Sequence, residues 1–170
     1  MHDLFTNIAE EENCELYIGD EKFGDKLRGT FIVESTYQLK INDKNKNILI
    51  QHTLGAHEMA EITVELPKQS DSMKFTITTK SHISTLFSRN KDRVKITCKN
   101  LSSAKFFEEN DSMKLIRAIC IEAEFEPYIT GSNENGSFKI RTDYHLLFEQ
   151  RNLVLRPLIN LCKALINRLL

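Results

Sequence analysis

Hydrophobic and polar residues alternate strictly between Phe31 and Ile41. One side of the alternation holds Phe31, Val33, Ser35, Tyr37, Leu39 and Ile41, and the other holds Ile32, Glu34, Thr36, Gln38 and Lys40. Because successive side chains of a strand point to opposite faces, this pattern predicts a half-buried β-strand over residues 28–42. Burial on one side favours an antiparallel sheet whose other face is wet.

Shorter alternating segments on either side of this strand predict more of the sheet. After a turn over 42–47, the alternation predicts three further strands, which would complete a four-strand meander: Ile48 to Leu54, Ile62 to Leu66, and Met73 to Thr79. Before the meander, 14–18 is predicted as a small strand and 19–29 as a surface loop. After it, we expect strands at 94–98, 128–131 and 137–144, with a loop of more than two residues around Asn135-Gly136.

The strongest helical pattern ends the chain. Its apolar face holds Leu155, Leu158, Ile159, Cys162, Leu165, Ile166 and Leu169. We expect a helix that begins near Arg156, carries Pro157 in its first turn and covers the apolar face of the sheet. Peripheral membrane contact through 155–170 is the alternative, since the segment carries Arg156, Lys163 and Arg168. Other helices are predicted over 3–12 and 82–88, from Ser102 or Ser103, and from Asp111-Ser112 to about Phe125.

Together these elements predict an α+β fold, an antiparallel β meander sheet covered on one face by helices that include the long C-terminal amphipathic helix. Neither a repeat nor a linker rich in Pro, Gly or Ser divides the chain, so we expect one domain over 1–170. In architecture, a long helix across a curved antiparallel sheet resembles the helix-grip, lipid-binding domains.

Charge and composition narrow the class of protein. The 170 residues carry 23 Lys and Arg against 24 Asp and Glu, a net charge of −1, which argues against a nucleic-acid partner. One basic cluster has the spacing that alternating residues on a strand produce, and we interpret it in that way: Arg89, Lys91, Arg93, Lys95 and Lys99. We expect a bacterial protein, because the chain is rich in Lys, Asn and Ile.

Cysteine usage and the N-terminus bear on location. Cys14, Cys98, Cys120 and Cys162 are widely spaced, and we interpret them as buried thiols in a reducing compartment. Neither a signal peptide nor an apolar run long enough to cross a bilayer is visible, so we expect a cytoplasmic protein.

Chemical motifs are weak in this chain. His52 and His57, with Glu58, lack the i, i+4 spacing of a helical metal pair, and His52 occupies an apolar-face position that suits a hydrogen-bonded core histidine. Asp143 and His145 share one strand face, but the sequence offers them no nucleophile.

Two further segments give even weaker evidence for a catalytic or ligand-binding motif. Ser81, beside His82, lacks the glycines of a nucleophile elbow, and Gly19 to Gly24 lacks the Lys-Ser/Thr of a phosphate loop. We therefore predict neither a catalytic residue nor a cofactor nor a metal site.

Two functions fit these observations. The first is a non-enzymatic interaction or regulatory domain that binds another protein or itself, through a sheet edge or the last helix. The alternative is a carrier or sensor of an apolar small molecule or lipid, held between sheet and helix. That alternative predicts an enclosed cavity with the pocket candidates Phe31, Ser35, Tyr37, Phe75 and Leu158. An enzyme that uses His52, His57 or the Asp143 and His145 pair ranks third.

Overall fold

Eight strands form one antiparallel sheet in a computed structural model that describes residues 1–25, 30–80, 92–148 and 150–170. Its spatial order is β1-β2-β3-β4-β8-β7-β5-β6. The strands are β1 (Leu16–Asp25), β2 (Thr30–Asp43), β3 (Lys46–Leu54), β4 (Met59–Pro67), β5 (Phe75–Thr79), β6 (Val94–Cys98), β7 (Tyr128–Glu134) and β8 (Ser137–His145). The α+β class and the antiparallel sheet are confirmed.

The predicted meander is wrong in its membership. β2, β3 and β4 are successive neighbours, but β8 and β7 lie between β4 and β5. β4 pairs with β8 along its whole length, from Met59 opposite His145 to Pro67 opposite Ser137. Alternation along one strand reports which residues share a face, but it carries no information about which strand lies beside it.

The fourth member of the meander is β1, which extends through much of the segment predicted as a loop. Asp20, Glu21 and Lys22 all lie in the strand and are exposed. Charged residues here are compatible with a strand because β1 lies at the edge of the sheet, where side chains reach water.

Two strand connections are tight turns. Lys44 and Asn45 have φ of 50° and 61°, and Asn135 and Gly136 have φ of 49° and 87°, as a type I′ hairpin turn requires. The prediction of a longer loop around Asn135-Gly136 is wrong, because β7 continues to Glu134 and β8 begins at Ser137.

Four helices are described, and all contribute buried side chains to the core: α1 (His2–Glu11), α2 (Leu101–Glu109), α3 (Asp111–Glu122) and α4 (Leu155–Leu169). Asn100 rather than Ser102 or Ser103 caps α2, since its side chain accepts a hydrogen bond from the Ser102 amide at 2.9 Å. The helix predicted over 82–88 lies outside the described residues.

The core forms between the helices and the inner face of the sheet. A typical row across this face runs through Leu39, Ile50, Ile62, Thr142, Ile129 and Ile77, all buried. On α4 the buried side chains are Leu155, Pro157, Leu158, Ile159, Leu161, Cys162, Leu165 and Ile166. The apolar face of α4 is therefore packed within this chain.

Acidic residues at the C-terminal end of α1 meet cations from α4. Arg156 donates to both carboxylate oxygens of Glu11, at 3.0 and 2.5 Å, and Lys163 donates to Glu12 at 2.5 Å. A negative charge at a helix C-terminus is unfavourable to the helix dipole. The α4 cations offset that charge and hold α1 against α4.

Replacing Lys163 with Met is expected to lower the free energy of unfolding by about 1 kcal/mol, because Glu12 then faces the helix dipole without its partner. Lys163→Arg keeps the charge and serves as the matched control in urea denaturation. Equal stability of the Met and Arg variants would contradict this role.

Candidate interaction surface

His52 lies in the core, as its apolar-face position predicts. It belongs to the inner-face row Tyr37, His52, Ala60 and Tyr144. The small side chain of Ala60 leaves room for the His52 Nε2 atom to lie 2.7 Å from the Tyr144 hydroxyl, two strands away. The Phe5 ring of α1 covers the imidazole, with ring centroids 4.8 Å apart.

Burial determines the charge state of this pair. It lowers the pKa of His52 to about 3, and the positive charge of Arg151 acts in the same direction. Burial also raises the pKa of the Tyr144 hydroxyl. Both groups are therefore neutral at neutral pH, and the pair is a hydrogen bond of the core.

The other candidate groups also make local contacts. His57 is exposed, with Nδ1 3.3 Å from Glu34 Oε2, so it does not join buried His52 in a metal site. Asp143 accepts a hydrogen bond from Arg141 at 3.0 Å. Across the described ranges, His, Cys, Asp and Glu side chains form no group of three or more suited to a metal ion.

The basic cluster and the cysteines also have structural positions. Arg93 is buried and donates to the Cys120 carbonyl at 2.9 Å and to Glu126 at 2.5 Å, whereas Lys95 and Lys99 are exposed. The four cysteines are free thiols, and two of them, Cys14 and Cys98, are only partly buried. Ser81, His82, Arg89 and Lys91 lie outside the described residues.

The five pocket candidates do not converge on one cavity. Phe31, Ser35 and Tyr37 belong to β2, whereas Phe75 on β5 lies five strands away, roughly 24 Å across the sheet. The Ser35 hydroxyl donates to Asp20 at 2.7 Å. Leu158 is buried on α4, and the void beside Phe75 and α4 measures about 10 Å³, near the minimum for one water molecule.

Open grooves lined mainly by polar and charged residues lie on the outer face of the sheet. One of about 600 Å³ crosses β6, β5, β7 and β8, and its wall includes Thr76, Thr97, Thr130 and Ser132. Its charged residues include Arg141, which contacts both Asp143 and Glu61. These features are typical of the solvated face of an antiparallel sheet.

The apolar surface lies instead on a ribbon, which we define as Tyr17–Gly24 of β1 paired with Phe31–Gln38 of β2. Six large hydrophobic side chains on this β1–β2 ribbon are 40% to 61% exposed: Tyr17, Ile18, Phe23, Phe31, Ile32 and Val33. Phe23 and Ile32 are directly opposite each other on the outer face. Phe31, Val33 and Ile18 occupy the inner side.

Phe31 and Val33 are exposed although their alternation predicts burial. The inner face is buried at Leu39 and partly covered at Tyr37, whose ring centroid lies 5.4 Å from that of Phe5. Toward the start of β2 the inner side becomes more open, and Val33 and Phe31 are exposed. Sequence reasoning missed this surface, and the signal that could have indicated it is Ile32, which is apolar on the otherwise polar side of β2.

The outer strand of the ribbon is also a sheet edge. Within the described residues, β1 pairs only with β2, so the other edge of this ten-residue strand has no strand paired to it. An unpaired edge strand presents a row of main-chain N–H and C=O groups to which another strand can pair. The ribbon therefore combines exposed apolar side chains with exposed main-chain hydrogen-bonding groups.

Comparison with family models, curated proteins and solved structures finds no match to this chain. Within the described residues, every helix is too short or too polar to cross a membrane.

Proposed function

We propose that this chain is a non-enzymatic interaction module that binds protein through the β1–β2 ribbon. The observation that carries the proposal is the exposure of six large hydrophobic side chains on one two-stranded ribbon. Clustered apolar residues on a protein surface are characteristic of interaction sites. The adjoining free edge of β1 adds hydrogen-bonding groups that a partner strand can use.

The positions of the polar groups support this function over catalysis. His52 is buried against Tyr144, and Asp143 bonds to Arg141. A general acid or base has to reach a substrate in a pocket.

The four free thiols agree with a reducing cytoplasm, and we propose a bacterial cell as the setting.

Site-specific photo-crosslinking tests the proposal. A benzoylphenylalanine at position 23 or 32, introduced in the cells that produce the protein, is expected to form adducts with a partner. Leu115 on α3 is 55% exposed and is the control position, where we expect none of the same adducts. Equal labelling at the ribbon and at position 115 would contradict the proposal.

Binding by purified components completes the test. The double variant Phe23→Ser with Ile32→Ser is expected to weaken binding of the crosslinked partner at least tenfold, because it removes the opposed apolar pair. Leu115→Ser removes a similar exposed side chain elsewhere and is expected to bind like the wild type.

A further inference from the structure

We infer that the partner of the β1 edge is a second copy of this chain, whose β1 pairs antiparallel with the first about a two-fold axis at Glu21. The inference rests on the proposed function, since it assigns the occupant of the β1–β2 ribbon. Closed two-fold pairs are the commonest assemblies of identical chains. Here the pairing would continue the eight-stranded sheet across the axis.

Complementarity within β1 supports this occupant. Opposed residues of antiparallel strands share a face, so two copies centred on Glu21 place Asp20 opposite Lys22 twice. The same register places Phe23 opposite Gly19 and Ile18 opposite Gly24, each twice. Asp20 and Lys22 therefore meet opposite charges, Ile18 and Phe23 each face a glycine, and the two Glu21 carboxylates face each other at the axis.

Pairings of the two β1 strands centred on neighbouring residues lack the two ion pairs between Asp20 and Lys22. A pair centred on Asp20 opposes two Asp20 carboxylates, and a pair centred on Lys22 opposes two ammonium groups. Centring on Gly19 places Lys22 opposite Leu16 and Glu21 opposite Tyr17. The registers centred on Asp20, Glu21 and Lys22 each place one like-charged pair at the axis, but of all four registers only the one centred on Glu21 also gains two ion pairs.

The outer face adds an aromatic contact. A Cβ atom at Gly19 would lie 2.9 Å from the hydroxyl of Tyr17, so the Tyr17 ring already lies over this glycine. Phe23 of the second copy would arrive opposite Gly19 and diagonal to Tyr17, within reach of an aromatic ring. Ile32 then flanks Phe23 on the other side. The apolar side chains exposed on the outer face thus cover one another across the axis.

Charge reversal tests the register. Asp20→Lys opposes cations and Lys22→Asp opposes carboxylates, so each variant alone is expected to raise the dimer dissociation constant at least tenfold. The double variant with both changes restores opposite charges and dimerisation. An equimolar mixture of the two single variants is expected to form mixed dimers, seen by native mass spectrometry at twice the 19.7 kDa chain mass.

Two further variants separate charge from local structure. Ser35→Ala removes the 2.7 Å hydrogen bond to Asp20 without changing its charge and is expected to dimerise normally. Glu21→Gln removes the like-charge contact at the axis and is expected to tighten the dimer. Thermal unfolding of each variant reports whether it is folded.

The outcomes are distinct for the two proposals. A wild-type chain that stays monomeric at about 100 μM, or a double variant that fails to dimerise, overturns the second-copy assignment. The proposed function survives that result if position 23 still crosslinks to a different protein and the Phe23→Ser, Ile32→Ser variant abolishes binding. Absence of ribbon-specific adducts of either kind overturns both.

Discussion

Lowering the pH from 6.5 toward 3 is expected to reduce the free energy of unfolding by up to about 1.4 kcal/mol per pH unit through His52 alone. In the unfolded chain this imidazole binds a proton below its ordinary pKa of 6.5, whereas burial holds its folded pKa at about 3. The unfolded state therefore binds more protons in this window. Stability that is fully present above pH 6.5 is lost as the pH falls.

Urea denaturation at about pH 7, 5.5 and 4.5 measures this slope. His52→Gln removes the titrating group but keeps a side chain able to hydrogen-bond to Tyr144. We expect it to be less stable than the wild type near pH 7 and to lose stability less steeply in acid. His57→Gln changes an exposed histidine and controls for the loss of a histidine side chain. An unchanged slope in the His52 variant would rule out His52 as the source.

Gly131→Val is expected to destabilise the protein by about 3 kcal/mol. A Cβ atom at position 131 would lie 2.2 Å from the ring of Phe75, the residue directly opposite on β5. Phe75 is buried against Phe107, with ring centroids 4.8 Å apart, so its ring has to leave a packed position. A strand interior otherwise favours valine over glycine, and the loss is therefore assigned to this contact.

A double-mutant cycle checks the assignment. Phe75→Ala removes the clashing ring, and its combination with Gly131→Val is expected to be more stable than the sum of the single changes by at least about 1 kcal/mol. Additive losses would mean that position 131 acts on stability without Phe75. Urea denaturation of the four proteins gives all the terms of the cycle.

Local periodicity predicted the faces of the strands much better than their order. Leu39, Ile50 and Ile62 are buried where the alternation places them, and α4 buries its predicted stripe except for Leu169, which is partly buried. The position of β8 beside β4 was not predictable in this way, because it depends on pairing between segments far apart in the chain. Because β8 and β7 lie between β4 and β5, Phe75 is far from the pocket candidates on β2.

The candidate site was harder to predict for a related reason. His52 has the same alternating position as its buried neighbours, and its burial follows. Phe31 and Val33 have that position too, yet they are exposed, because a face is buried only where another element covers it. Whether the inner side of β2 is covered depends on where α1 packs. The residue range predicted for α1 does not say which part of the sheet the helix lies on.

The pairing of β4 with β8 has a consequence for the kinetics of folding. Among the described strands it is the one ladder that joins the part of the chain before Pro67 to the part after Phe75. The β2–β3 and β7–β8 hairpins close through two-residue turns, whereas β4 and β8 must meet across a long intervening chain. Long-range pairing is slow because loop-closure entropy is lost before contacts form. We therefore expect the hairpins to form early and amides at the β4–β8 junction to gain protection from hydrogen exchange in the rate-limiting step.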